Sequence, residues 1–114
     1  PAVDGNVLRV ISRITDDNTP IDLPAFKRSV HQKLSAVYPN AAGDFTQALM
    51  ELGATVCLPN GAPLCGKCPW KGLCFAAKHN RIGDFPAKKI KPARKIVKLN
   101  VFLMEMQKKI FMSC

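Results

Sequence analysis

Four of the five cysteines of this 114-residue chain fall within eighteen residues, as Cys57-x7-Cys65-x2-Cys68-x5-Cys74, and only Cys114 lies elsewhere. Thiols crowded into one loop can surround one inorganic centre, and their spacing bears on which centre it is. Structural zinc sites usually pair two CxxC knuckles across a longer stretch. Here a single CxxC has a wide gap before it and a medium gap after it. That asymmetry suits a compact 4Fe-4S cluster, in which each iron takes one thiolate. A structural zinc and a disulfide pairing stay open as alternatives. Spacing alone does not exclude zinc, and the absence of a secretory signal argues against disulfides.

The length and an apolar content of 47% suffice for one packed domain. No run of eighteen apolar residues occurs, and no charged segment followed by an apolar stretch opens the chain. Neither a membrane span nor a leader is expected, and the expected setting is a reducing, cytoplasmic interior. The start at Pro1 without a methionine, and the stop at Cys114 inside an apolar run, predict a piece of something longer. Charge is unevenly placed: residues 1–56 carry five Lys/Arg against six Asp/Glu, and residues 57–114 carry twelve against two. The basic half is the cysteine half, so its field attracts a polyanion, of which nucleic acid is the commonest. A solvated basic linker is the plainer explanation of the same lysines.

Val7, Val10, Ile11 and Ile14 recur at helical spacing behind Asp4, which stands where an N-cap carboxylate would accept backbone N–H bonds. Thr15 to Pro20 reads as a turn. A second helix is expected behind Asp22 or Leu23, with Pro24 in its first turn and Phe26, Val30, Leu34 and Val37 as its apolar stripe. His31 reads as a surface residue without a ligand role. Asp44 and Gln47 have the form of a capping box for a third helix. That helix is expected to run to about Gly53, to pack through Phe45, Ala48, Leu49 and Leu52, and to lead into Cys57. Pro69 opens an expected fourth, short helix through Ala77, and Trp70 either shields the metal centre or fills the core. Ile96 to Met106 and Ile110 to Met112 read as strands joined at Gln107-Lys108-Lys109. The expected fold is mainly α: a helical part over 1–85, a basic linker over 86–95, and over 96–114 a β-hairpin stub of a truncated β domain, since one hairpin makes no stable sheet.

Three stretches carry a family resemblance: Pro1-Ala2-Val3-Asp4-Gly5-Asn6-Val7-x-Arg9-Val10, Gly43-Asp44-Phe45-x-Gln47-Ala48-Leu49-Met50-Glu51-Leu52-Gly53-Ala54, and the four cysteines. Together, and over roughly residues 1–95, they resemble the MutY-type adenine DNA glycosylases of the helix-hairpin-helix superfamily. Endonuclease III shares the cysteine arrangement, whereas the first two stretches look like the MutY branch. The trailing hairpin resembles the start of that family's Nudix-like C-terminal domain, which recognises 8-oxoguanine.

The resemblance implies base-excision repair by a monomeric hydrolase. Its substrate would be double-stranded DNA with adenine mispaired with 8-oxoguanine or guanine, the adenine being flipped out of the stack. It implies that Asp4 stabilises or traps the oxocarbenium ion formed when the N-glycosidic bond breaks, with Asn6 as its hydrogen-bonding neighbour. Cys57, Cys65, Cys68 and Cys74 would hold a 4Fe-4S cluster that folds a basic loop, and Lys67 and Lys71 would grip phosphates, unless they are merely solvated. The chain departs from the family pattern in several places. Its first cysteine gap has seven residues where six are usual, residues 58–64 carry no charge, and Thr46 replaces an Asn. The family's general acid lies upstream of the part resembled, and neither Glu51 nor Glu105 matches its motif. The chain alone is therefore expected not to catalyse. A non-catalytic, metal-stabilised DNA-binding module is the competing expectation, and a zinc-stabilised interaction domain is a third.

Overall fold

The computed structural model describes residues 1–90, 92–93, 96–106 and 109–113, with the backbone alone for 102–106 and 109–113. The helical periodicity behind Asp4 forms α1 (Gly5–Thr15), capped by the Asp4 side chain, which accepts from the Val7 N–H at 2.9 Å. Three helices pack on it: α2 (Pro24–Val37), α3 (Ala42–Glu51) and the single turn α4 (Phe75–Lys78). Val7, Leu8 and Val10 of α1, Phe26, Val30 and Leu34 of α2, and Leu49 of α3 form the centre of the core. No helix among the described residues is long and apolar enough to cross a membrane.

The end of α1 is fixed by a left-handed residue, Asp16 at φ 56°, whose N–H returns to the Ser12 carbonyl. The Asp16 carboxylate then meets Arg81 at 3.1 Å, and Arg81 also bonds Asp84 at 3.1 Å while lying over the ring of buried Phe85. Residues 81–85 are thereby folded back onto the end of α1.

Several expectations are corrected. Asp22 does not cap α2; Leu23 stands at the N-cap without a side-chain bond, and Asp22 accepts from the Lys89 N–H instead. Val37 is 70% exposed, because the stripe of α2 runs past the end of the core. The capping box of α3 does not form: the helix begins earlier, at Ala42, which places Asp44 inside its first turn, and Gln47 donates to Glu51 at 2.9 Å. Ala48 is exposed while Leu49 is buried. The expected fourth helix shrinks to Phe75–Lys78, with a 3-10 turn at Cys65–Lys67 and plain turns between, since the chain must double back to present Cys68 and Cys74 on one side.

Gly53 is not a helix-ending glycine. The helix widens from α3 into a π-helical turn, Leu52–Val56, with Gly53 buried near its start. A Cβ on Gly53 would lie 2.7 Å from the Asn6 Cβ and 3.2 Å from the Asn6 backbone, so only glycine lets this turn reach α1.

In the last stretch, β1 (Phe102–Met106) pairs antiparallel with β2 (Lys109–Ser113) in the register Met106↔Lys109 to Phe102↔Ser113. The first strand is shorter than expected. Phe102 already faces Ser113, and residues 96–101 have no ladder partner among the described residues. Lys91, Arg94 and Lys95 of the expected linker, the turn at Gln107 and Lys108, and Cys114 lie outside the described residues.

Gly53→Ala should lower stability by about 1–3 kcal/mol, because it crowds the Asn6 Cβ and backbone, which cannot yield cheaply. Gly43→Ala, whose Cβ meets nothing within 4 Å, should leave stability unchanged or raise it by up to about 1 kcal/mol. Urea unfolding midpoints of the two variants check both.

Candidate functional site

Two sites lie at opposite reaches of α1. At its N-terminus, the Asp4 carboxylate is held through both oxygens: Oδ1 accepts from the Val7 N–H at 2.9 Å and Oδ2 from Asn6 Nδ2 at 3.2 Å. Asn6 Oδ1 in turn accepts from Arg9 Nη2 at 2.9 Å, which settles which way the Asn6 amide points. Asp4, Gly5, Asn6 and Arg9 line one wall of a cleft closed by Ile21, Pro59, Pro86 and Lys88. Each carboxylate oxygen accepts only one of these bonds and keeps lone-pair capacity for a ligand in the cleft.

The cysteine site lies beyond the π-helical turn. Cys57 follows it directly, its N–H bonded to the Leu52 carbonyl at 2.8 Å. Cys65 opens the 3-10 turn and Cys68 closes it, and Cys74 is the N-cap of α4. All four are free thiols of intermediate burial, and all four line a single cavity, whose other walls include Val10, Ile14, Trp70 and Lys71. Burial, and next the neighbouring Cys57, Cys68 and Cys74, push the Cys65 thiol up, against the pull of Arg13. Yet among the described residues no group of three or more Cys, His, Asp or Glu could hold a metal ion.

Lys71 borders the cysteine cavity, and exposed Lys67 lies in the 3-10 turn between Cys65 and Cys68. Asp4 and Asn6 are thus brought together, as are the four cysteines, and the two lysines stand apart from the Asp4 cleft.

Arg9 and Arg13 join the two sites and were not read as functional from the sequence. They are only 6% and 5% exposed. Arg9 donates to the Cys57 carbonyl at 2.9 Å and the Gly53 carbonyl at 2.6 Å, besides Asn6. Arg13 donates to the Phe85 carbonyl at 3.1 Å, the Leu58 carbonyl at 2.9 Å and the Cys57 sulfur at 3.2 Å. Burial draws the Arg9 guanidinium below its ordinary value, opposed mainly by Cys57. The overlooked signal was positional: an arginine pair four apart, falling on the buried face that carries Val7, Val10 and Ile14.

No family model matches the chain. Curated relatives do. The chain is 46% identical over 85 residues to the adenine DNA glycosylase of Rattus norvegicus, covering 72% of this chain and 16% of that protein. It is 39% identical over 98 residues to that of Arabidopsis thaliana, covering 80% of this chain and 15% of the relative. In Mycobacterium tuberculosis the adenine DNA glycosylase is 42% identical over 71 residues, 60% of this chain and 23% of that protein. The chain belongs with the MutY-type adenine DNA glycosylases. It spans about a sixth of the length of the rat and Arabidopsis glycosylases it matches, 16% and 15%.

Arg9→Met removes three N–H donors and leaves the Gly53 and Cys57 carbonyls without these partners. A loss of about 3 kcal/mol is expected, from roughly 1–3 kcal/mol for each such group. Arg9→Lys should restore less than half of it, because one ammonium cannot reproduce the planar fork. Denaturant unfolding of both variants measures the difference.

Proposed function

We propose that the protein carrying this chain is a base-excision repair hydrolase of helix-hairpin-helix type that removes adenine mispaired with 8-oxoguanine or guanine in double-stranded DNA. The observation that supports this most is the carboxylate at the mouth of the cleft, its oxygens fixed by the Val7 N–H and by an Asn6 amide that Arg9 holds in place. Cleaving an N-glycosidic bond builds positive charge on the sugar, and a prepositioned carboxylate stabilises it without reorganising. The adenine is reached by flipping it out of the stack. The cleft lining includes no carboxylic acid besides Asp4, so protonation of the departing adenine needs a group from elsewhere, and the chain alone is not expected to excise. The names of the relatives support adenine as the base. Recognition of the opposite 8-oxoguanine is assigned to a Nudix-like domain that begins near β1.

Cys57, Cys65, Cys68 and Cys74 are proposed to hold a 4Fe-4S cluster. The donor set fits such a group: four free thiols line one cavity, and Arg13 places a positive charge against the Cys57 sulfur, which suits an anionic ligand. A single zinc needs bonds of about 2.3 Å, hence sulfurs roughly 3.8 Å apart. Four irons with one thiolate each are preferred to it on the asymmetric spacing of the four cysteines. When bound, the group supplies four iron–thiolate bonds that cross-link the loop. Lys67 and Lys71 are offered to DNA phosphates from that loop.

Asp4→Asn in the enzyme that carries this chain should cut adenine excision by at least roughly a thousandfold while duplex binding changes less than about threefold. Excision that persists would overturn the assignment and favour a non-catalytic DNA-binding module. Anaerobically purified protein should be brown, with roughly four irons and four sulfides per chain. A colourless protein with one zinc would overturn the cluster.

A further inference from the structure

The two-proline loop at residues 58–64 has no charge of its own, yet it forms a wall of two clefts that meet at one cation. One cleft is that of Asp4. The other runs past Arg13, Gly61, Ala62 and Gly83. Pro59, Pro86 and Lys88 belong to both, so the clefts adjoin and Lys88 stands where they meet. The remaining cations that border them, Arg9 and Arg13, are buried and donate to the carbonyls and side chains already described. Lys88 is exposed, and no ion pair or side-chain hydrogen bond engages its ammonium among the described residues. It shares the cleft with Asp4 without being its counter-ion.

Lys88 is also held in position by its backbone. The Ile21 N–H donates to the Ala87 carbonyl at 3.0 Å, and the Lys89 N–H donates to the Asp22 carboxylate at 3.3 Å. These two bonds flank Lys88 and strap residues 86–89 across the lead-in to α2. A stretch that composition alone reads as loose linker is therefore held by its backbone, with Lys88 in the lining of the Asp4 cleft.

We infer that Lys88 is a phosphate-contacting residue of the catalytic cleft, and that the groove between residues 58–64 and 82–88 receives the sugar–phosphate backbone next to the flipped nucleotide. The inference rests on the glycosylase reading above. A strand drawn toward Asp4 brings its phosphates with it, and the carboxylate repels them. An ammonium at the junction of the clefts offsets that repulsion and fixes the sugar against Asp4 without contacting a base. Lys88 is thus a positioning residue for the reaction.

The test uses the full-length enzyme carrying this chain, with Lys88→Glu, Lys88→Ala and Lys88→Arg. The probe is a duplex whose target adenine bears a 2′-fluoro sugar, which slows cleavage so that binding can be read. Lys88→Ala should weaken binding roughly five- to tenfold near 100 mM salt and reduce the slope of log K against log salt by about 0.9, as for one lost phosphate contact. Lys88→Glu should weaken it further, and Lys88→Arg should restore both affinity and slope. On cleavable duplex, KM should rise more than kcat falls. Iron content and the visible spectrum of each variant report folding independently of DNA. An unchanged salt slope in folded Lys88→Ala, or an Arg variant no better than Ala, would overturn the inference. Asp4→Asn serves beside them: if it abolishes excision while Lys88→Ala binds normally, only the Lys88 assignment fails. If Asp4→Asn excises normally, the glycosylase reading fails instead.

Discussion

Arg9 and Arg13 sit one turn apart on α1 with almost no access to water, which costs several kcal/mol per charge unless their donors are satisfied. Their acceptors come from segments far apart in the chain: Asn6, the Gly53 and Cys57 carbonyls, the Leu58 carbonyl and the Phe85 carbonyl. None of these acceptor carbonyls lies in an ordinary α-helical ladder. The π-helical turn, the start of the cysteine loop and the segment behind α4 have little regular structure to hold them, and two guanidinium groups do so instead. Because Arg9 bonds both Asn6 and the carbonyl of Cys57, a shift at either end of α1 is felt at the other.

That dependence explains what the sequence made legible. The positions of α1 and α2 follow from local rules, an apolar stripe at helical spacing with Asp4 as cap and Pro24 in the first turn. The four cysteines announce a shared site by their crowding, and the structure sets them around one cavity. The end of α3 is different in kind. Its π-helical turn brings Gly53 into close approach with Asn6, two residues with no sequence signal linking them. A glycine after an apolar run reads locally as a helix end, and only the tertiary contact reveals it as a place where a side chain would not fit. The buried arginines escape for a related reason, since arginine is ordinarily a surface residue and its burial depends on acceptors supplied by other segments.

The same limit applies to charge. Composition places the positive field in the cysteine half, but it cannot say which lysines face a ligand. The loop at 58–64 lacks charge, and the structure sets Lys88 against that loop from thirty residues downstream, through two backbone bonds to Ile21 and Asp22. Lys71 borders the cysteine cavity rather than the Asp4 cleft.

The seven-residue gap between Cys57 and Cys65 is accommodated by the same separation of local from distant constraints. Short bonds set the two ends: the Cys57 N–H to the Leu52 carbonyl at 2.8 Å, the Leu64 N–H to the Val56 carbonyl at 2.9 Å and the Cys68 N–H to the Cys65 carbonyl at 3.2 Å. The loop between Cys57 and Leu64 therefore closes on itself at its base. Its excess length goes into an exposed arc, Pro59 to Ala62, where Gly61 turns at φ 72°, a conformation that glycine adopts without strain. An added residue in that arc lengthens the wall of the cleft while leaving the placement of both cysteines to their own local bonds. The position of the thiols is thus insulated from the length of the loop, and the loop remains available to shape the groove beside Asp4.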